Sequence, residues 1–182
     1  MSSVRSFYNP IQKDSALFLE TVKETNGKYT LVEVELAVGG GNELHYHKAY
    51  EEKFVCIEGQ LHVQVGKEIH VLNPGDDIVA PPYTLHRFYN ATEQPVKFSV
   101  TLSPGSRGFE EAIQISYGLA SDGMTNKKGI PSKISHLGIL LNLSESSLPG
   151  WQSVLASGLS WIGKRAVKKG KLEELRKQYV QL

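Results

Sequence analysis

His45 and His47 stand one residue apart, Glu51 and Glu52 follow closely, and a further histidine lies at position 86. In an extended strand alternate side chains point to the same face, so His45 and His47 face one way. Glu51 and Glu52 fall where an adjacent strand can return a carboxylate to them. Three imidazoles and one carboxylate meeting at a point suit one divalent first-row transition ion: iron, manganese, nickel, zinc or copper. Such a set leaves coordination positions open, as a catalytic centre needs and a closed structural centre lacks. A redox-active ion there brings an enolate or catecholate-like substrate together with O₂, whereas zinc only polarises and deprotonates. His62, His70 and His136 lack such neighbours and are read as ordinary surface or core residues.

The histidines sit inside two longer patterns. The first is Gly39-x5-His45-x-His47-x4-Glu52-x6-Gly59, and the second is Gly75-x5-Pro81-x4-His86-x3-Asn90. In order and spacing they resemble the two motifs of the cupin superfamily, with the short intermotif stretch from Gln60 to Pro74 that compact single-barrel members have. The resemblance covers roughly residues 29–104. It implies a mainly β fold, a double-stranded β-helix or jelly-roll barrel. It also implies a metal held by His45, His47, Glu52 and His86. One position departs. The place two residues after Pro81, usually glycine, holds Tyr83, which implies a different turn or a bulky lip on the pocket.

Glu52 is preferred to Glu51 as the carboxylate ligand because its spacing to His47 and to Gly59 matches the motif. If Glu52, Phe54 and Cys56 share the inward face, Phe54 and Cys56 line the cavity. Cys56 is read as a small buried hydrophobe, since no neighbouring basic residue lowers its pKa. By the same parity Phe88 and Asn90 share the face of His86. Phe88 is an apolar wall, and Asn90 hydrogen-bonds backbone at the strand end. Tyr46, Tyr83 and Arg87 are candidates for the pocket mouth.

The elements that must position these groups are legible as two periods. Val32, Val34, Leu36 and Val38 alternate with polar residues, as do Val96, Phe98, Val100 and Leu102. Short strands at 53–57, 61–65 and 69–72 are separated by Gly and Asn-Pro-Gly-Asp turns, the pattern of a sandwich or barrel. After Gly105 the period becomes helical. Three segments divide the chain: 1–28, an N-terminal arm and first strand; 29–104, the barrel; and 105–182, a helical tail packed on it. Ile134, Leu137, Leu141, Trp151, Leu155, Leu159 and Ile162 are expected to be the buried stripes of that tail.

A chain of 182 residues with net charge +1 and 40% apolar content fits one domain with an appendage and gives no sign of nucleic acid as partner. The single cysteine excludes an internal disulfide and fits a reducing, cytoplasmic setting. No secretory signal and no membrane-spanning run are read. Seven basic residues against Glu173 and Glu174 give the end of the tail about +5. A helix with a solvated basic face is favoured there over one lying on anionic lipid. Resemblance to cupins implies a homodimer. The expected function is metal-dependent chemistry on a small organic molecule, first an oxygenase or dioxygenase. A non-redox isomerase or lyase, or a binding cupin without turnover, stands as the alternative.

Overall fold

The computed structural model describes residues 5–147 and 152–182, with side chains from residue 157 in the second segment. Strands β1 (Ser6–Asn9), β2 (Asp14–Glu20), β3 (Thr30–Leu36), β10 (Val96–Ser103), β5 (Glu51–Glu58) and β8 (Asp77–Ala80) form one antiparallel sheet, in that spatial order. β7 (Glu68–Leu72), β6 (Leu61–Val65) and β9 (His86–Tyr89) form the facing sheet. Between them lies a jelly-roll core of alternating inward residues, including Val34, Phe54, Leu61, Val63, Phe88 and Phe98. The fold is mainly β with helices after the last strand, as the two periods in the sequence imply.

Parity is kept where it matters. β5 begins at Glu51 and buries Glu52, Phe54 and Cys56 on one face. β9 buries His86 and Phe88, and Asn90 follows on the same side. Asn90 donates to the carbonyls of Gln94 at 2.8 Å and Ala37 at 3.3 Å, which closes the strand end as expected.

The helices are α1 (Arg107–Ser121), α2 (Ile134–Leu143), α3 (Gln152–Lys168) and α4 (Lys171–Tyr179). Ser106 caps α1 by accepting from the Phe109 N–H at 3.1 Å. One side of α1 meets the barrel core through Phe109, Ile113 and Tyr117. Its other side, with Ala112, Ile115 and Leu119, joins Ile139, Leu140, Ala166, Leu172, Leu175 and Tyr179 in a second apolar core. α1 is therefore the hinge plate between barrel and tail.

The expected buried stripes of the tail need correction. Ile134 is exposed, at 57%, while Leu137, Leu141, Leu159 and Ile162 are half-buried. Trp151 and the Leu155 side chain lie outside the described residues. α2 turns Ile139 and Leu140 inward instead. The reason is backbone contact: a Cβ on Gly138 would lie 2.4 Å from the Leu159 carbonyl oxygen, and one on Gly163 would lie 2.3 Å from that of Gly138. The two helices meet through glycine, so the large apolar residues beside this seam are left at its rim.

Between α2 and α3 a two-residue strand, β11 (Ser146–Ser147), pairs antiparallel with β4 (Tyr46–His47). The tail thus reaches back to the strand that carries His47.

Candidate metal centre

Three separate strand ends bring the donors together. His45 and His86 face each other across an isolated antiparallel bridge, with reciprocal N–H···O bonds of 3.1 and 2.8 Å. His47 lies in β4, two residues on and pointing the same way. Glu52 is the second residue of β5 and is opposite Leu102 and Ala80 in its neighbours. The glycine loop before His45 crosses β9 so closely that a Cβ on Gly41 would lie 2.7 Å from the Phe88 carbonyl oxygen.

One ligand atom from each of His45, His47, Glu52 and His86 lies within 4.8 Å of all the others. The Nε2 atoms of His45 and His47 are 3.1 Å apart, and Glu52 places Oε2 2.9 Å from His86 Nε2 and Oε1 3.6 Å from His47 Nε2. His47, Glu52 and His86 are buried, and His45 is half-buried. Close packing of Nε2 atoms around one carboxylate fits a divalent ion, since imidazole nitrogens and a carboxylate oxygen are the donors such an ion takes. Glu52 takes the position that motif spacing assigns it, while Glu51 is half-buried and stands outside the cluster.

The far nitrogens explain why the Nε2 atoms face inward. His45 Nδ1 is 2.8 Å from the Glu43 carbonyl and His86 Nδ1 is 2.8 Å from the Thr84 carbonyl. A carbonyl only accepts, so each Nδ1 carries the proton. His86 then has both nitrogens on acceptors, Thr84 and Glu52. Burial, the largest single influence, works against its charge, but the Glu52 hydrogen bond, the Glu52 charge and the Thr84 carbonyl together outweigh it and raise the His86 pKa. Burial alone would raise Glu52 too, yet His47 and His86 hold it down at about 2. Burial, with His47 and His86 beside it, pushes His45 down to about 3. The cluster is thus a buried carboxylate with two neutral imidazoles and one that shares a proton with it, an arrangement a cation can replace.

His47 is supported differently. Its Nδ1 lies 2.8 Å from the Tyr50 hydroxyl, 3.1 Å from the Ser144 carbonyl and 3.1 Å from the Ser146 hydroxyl. Tyr50 is buried, its ring 4.5 Å from that of His47 at 30°, and Phe109 of α1 sits edge-on to both. Sequence reading missed Tyr50, Ser144 and Phe109. Tyr50 precedes a recognised motif glutamate and was open to inference; the other two come from the tail, and nothing in their spacing marks them.

Phe54 and Phe88 meet at a tilt with ring centroids 6.2 Å apart, Phe98 lies 6.5 and 5.0 Å from them, and Phe54 lies 6.2 Å from the His86 ring. They form a dry floor beneath the donors. Cys56 is buried on the same face, but four residues along β5 carries it about 13 Å away from Glu52. Its Sγ points at the carbonyls of Glu58 and Gly59, and burial pushes its pKa up. Tyr83 is 69% exposed and leans on Tyr46, with ring centroids 6.3 Å apart. It does not change the turn: it takes φ 62° itself, and its N–H donates to the His47 carbonyl at 2.7 Å.

A cleft of about 560 Å³ lies on the other side of the β4–β11 pair, lined among others by Tyr46, Lys48, Ser146, Ser147, Trp161 and Lys164. None of the four donors lines it.

The fold and this arrangement define a class, and comparison with known proteins agrees. Residues 32–103 match the family model described as the cupin domain, which makes the barrel a cupin domain. It is similar to quercetin 2,3-dioxygenase of Bacillus subtilis, 37% identical over 84 residues, which is 46% of this chain and 24% of that enzyme. The chain therefore spans about a quarter of that relative's length. It is 28% identical over 104 residues to an uncharacterized protein of Methanocaldococcus jannaschii, covering 53% of this chain and 83% of that one. The structure of KdgF from Halomonas sp. superposes with TM-score 0.50 at 20% identity, covering 56% of this chain and 87% of that chain, a likeness of fold.

Proposed function

We propose that this cupin is a metal-dependent oxygenase of dioxygenase type, acting on a small organic molecule that offers an enolate or catecholate-like oxygen. The observation that carries the reading is the meeting of His45, His47, Glu52 and His86 over an apolar floor. Similarity of the barrel to quercetin 2,3-dioxygenase supports the reaction class. The four side chains would hold one divalent transition ion through Nε2 of each histidine and a Glu52 oxygen. Such an ion supplies Lewis-acid activation of a substrate oxygen and, if redox-active, electron transfer with O₂.

The chain's own residues do the rest. The Nδ1 contacts of His45 and His86 hold the rings in position before any ligand arrives, which lowers the cost of assembling the centre. Phe54, Phe88 and Phe98 exclude water from the floor, so charge in the site acts in a low dielectric. Tyr83, whose ring is exposed and whose N–H bonds the His47 carbonyl, would offer a planar substrate a ring face. Without an ion Glu52 accepts from His86 Nε2 at 2.9 Å; a bound cation would displace that proton and take both groups as ligands.

Two accompanying proposals concern its setting. The free edge of β1 in the larger sheet, beside exposed Tyr8, is offered as the contact of a homodimer. A cytoplasmic location fits the lone thiol; no helix among the described residues is long and apolar enough to cross a membrane.

The test is oxygen consumption by the full chain loaded in turn with Fe²⁺, Mn²⁺, Ni²⁺, Cu²⁺ and Zn²⁺, against flavonols and other enolisable substrates. Substrate-dependent O₂ uptake with a redox-active ion, absent with zinc, is expected. Turnover with zinc and no O₂ uptake would replace the oxygenase reading by a non-redox one.

A further inference from the structure

The tail does more than cover the barrel. His45 and His86 each find an acceptor two residues back in their own loop, so their tautomers are set locally. His47 has no such partner. The groups around its Nδ1 are Tyr50 and, 97 residues away in sequence, the α2 terminus. Two of those groups, the Tyr50 and Ser146 hydroxyls, can either donate or accept. The Ser144 carbonyl can only accept.

We infer that Tyr50 is a positioning residue that, through the Ser144 carbonyl, fixes His47 as the Nδ1–H tautomer and so makes the helical tail part of the metal centre. Two observations carry this. Tyr50 Oη is closer to the Ser144 oxygen, at 2.6 Å, than to His47 Nδ1, at 2.8 Å. Ser144 is the C-cap residue of α2, where the helix's last carbonyls lack intrahelical donors, so its oxygen needs the phenol proton. With that proton committed, the Tyr50 oxygen presents lone pairs to His47, and with the Ser146 hydroxyl directed at the Ser144 oxygen, 3.5 Å away, Nδ1 is left as the donor. The relay runs from Nδ1–H to the phenol and from the phenol O–H to the carbonyl. Its result is a bare Nε2 aimed at His45 and Glu52. In the opposite tautomer Nε2–H would point a proton into the site, and His47 could not ligate.

The inference rests on the metal-centre reading for its purpose but not for its test. Full-length protein with ¹⁵N-labelled histidine, free of metal, reports each ring's tautomer through its nitrogen shifts. His47 is expected as Nδ1–H in the parent, with an Nε2–H population appearing in Tyr50→Phe, which keeps the ring but removes the relay. Titration with Co²⁺, followed by its visible spectrum, should show the variant about 10–100-fold weaker. Tyr29→Phe, whose phenol donates to Glu20 at 2.7 Å, should match the parent in both. An unprotonated Nδ1 in the parent overturns the inference, as does Tyr50→Phe leaving the tautomer unchanged. A parent with the expected tautomer and no Co²⁺ binding would sink the metal-centre reading and leave the inference standing.

Discussion

The phenol of Tyr117 donates a 2.6 Å hydrogen bond to the carboxylate of Asp14, joining α1 to the start of β2 across 103 residues. Asp14 is 1% exposed and its other oxygen has no hydrogen-bond partner among the described residues. Burial raises its pKa to about 7, against the smaller lowering effects of Tyr117 and backbone hydrogen bonds. The seam therefore holds a carboxyl group that keeps its proton far longer than in the unfolded chain.

That asymmetry sets a sign. Between about pH 4 and pH 7 the folded state binds the proton and the unfolded state does not, so stability falls as pH rises through this window and levels off above it. Asp14→Asn removes the titration. At pH 8 the variant should be more stable than the parent by about 2–4 kcal/mol, and this gap should vanish near pH 4. Urea melts at both values measure it; a pH-independent difference would show that Asp14 does not titrate on folding.

The glycine seam between α2 and α3 predicts a reversal of ordinary helix propensity. Alanine in place of a helical glycine normally stabilises by about 0.8–1 kcal/mol. Gly138→Ala and Gly163→Ala instead force a Cβ within 2.4 Å of backbone and should destabilise by about 1–3 kcal/mol. Gly158→Ala, with nothing within 4 Å, should show the ordinary gain. Thermal melts of the three variants compare them directly.

The same seam shows why the barrel was legible and the tail was not. Strand parity is a property of sequence, and it put Glu52, Phe54 and Phe88 on inward faces as expected. The motif spacing assembled the four donors because each hangs on a strand end fixed by those registers. Helix packing depends on which face a neighbour approaches. In the apolar stripe through Ile134, Leu137 and Leu141, Ile134 is exposed and the two leucines are only half-buried, because the closest contact is made by glycines, which carry no hydrophobic signal. The Ser144 contact with His47 was hidden for a related reason: a backbone carbonyl leaves no trace in residue identity.

Tyr83 makes a third prediction. A bulky residue at φ 62° costs about 1–2 kcal/mol relative to glycine, which is free to adopt this conformation. Tyr83→Gly and Tyr83→Ala both remove the ring from Tyr46, but only alanine keeps the strain. The glycine variant should therefore be the more stable of the two by about 1 kcal/mol in denaturant titration. Equal stabilities would mean the turn relaxes away from positive φ. If the tyrosine is the lip of the site, both variants should raise the KM of a planar substrate more than they lower kcat.

The central claim is that four side chains from three strand ends hold one ion. It is tested most directly by elemental analysis of the full chain beside His86→Ala and Glu52→Gln, each loaded and desalted identically. Loss of one of four ligands, with its partner left buried and unpaired, should leave only residual metal in the variants, while the parent retains about one divalent ion per chain. His86→Ala retaining the parent's full metal content, or a parent that retains none, would contradict the account.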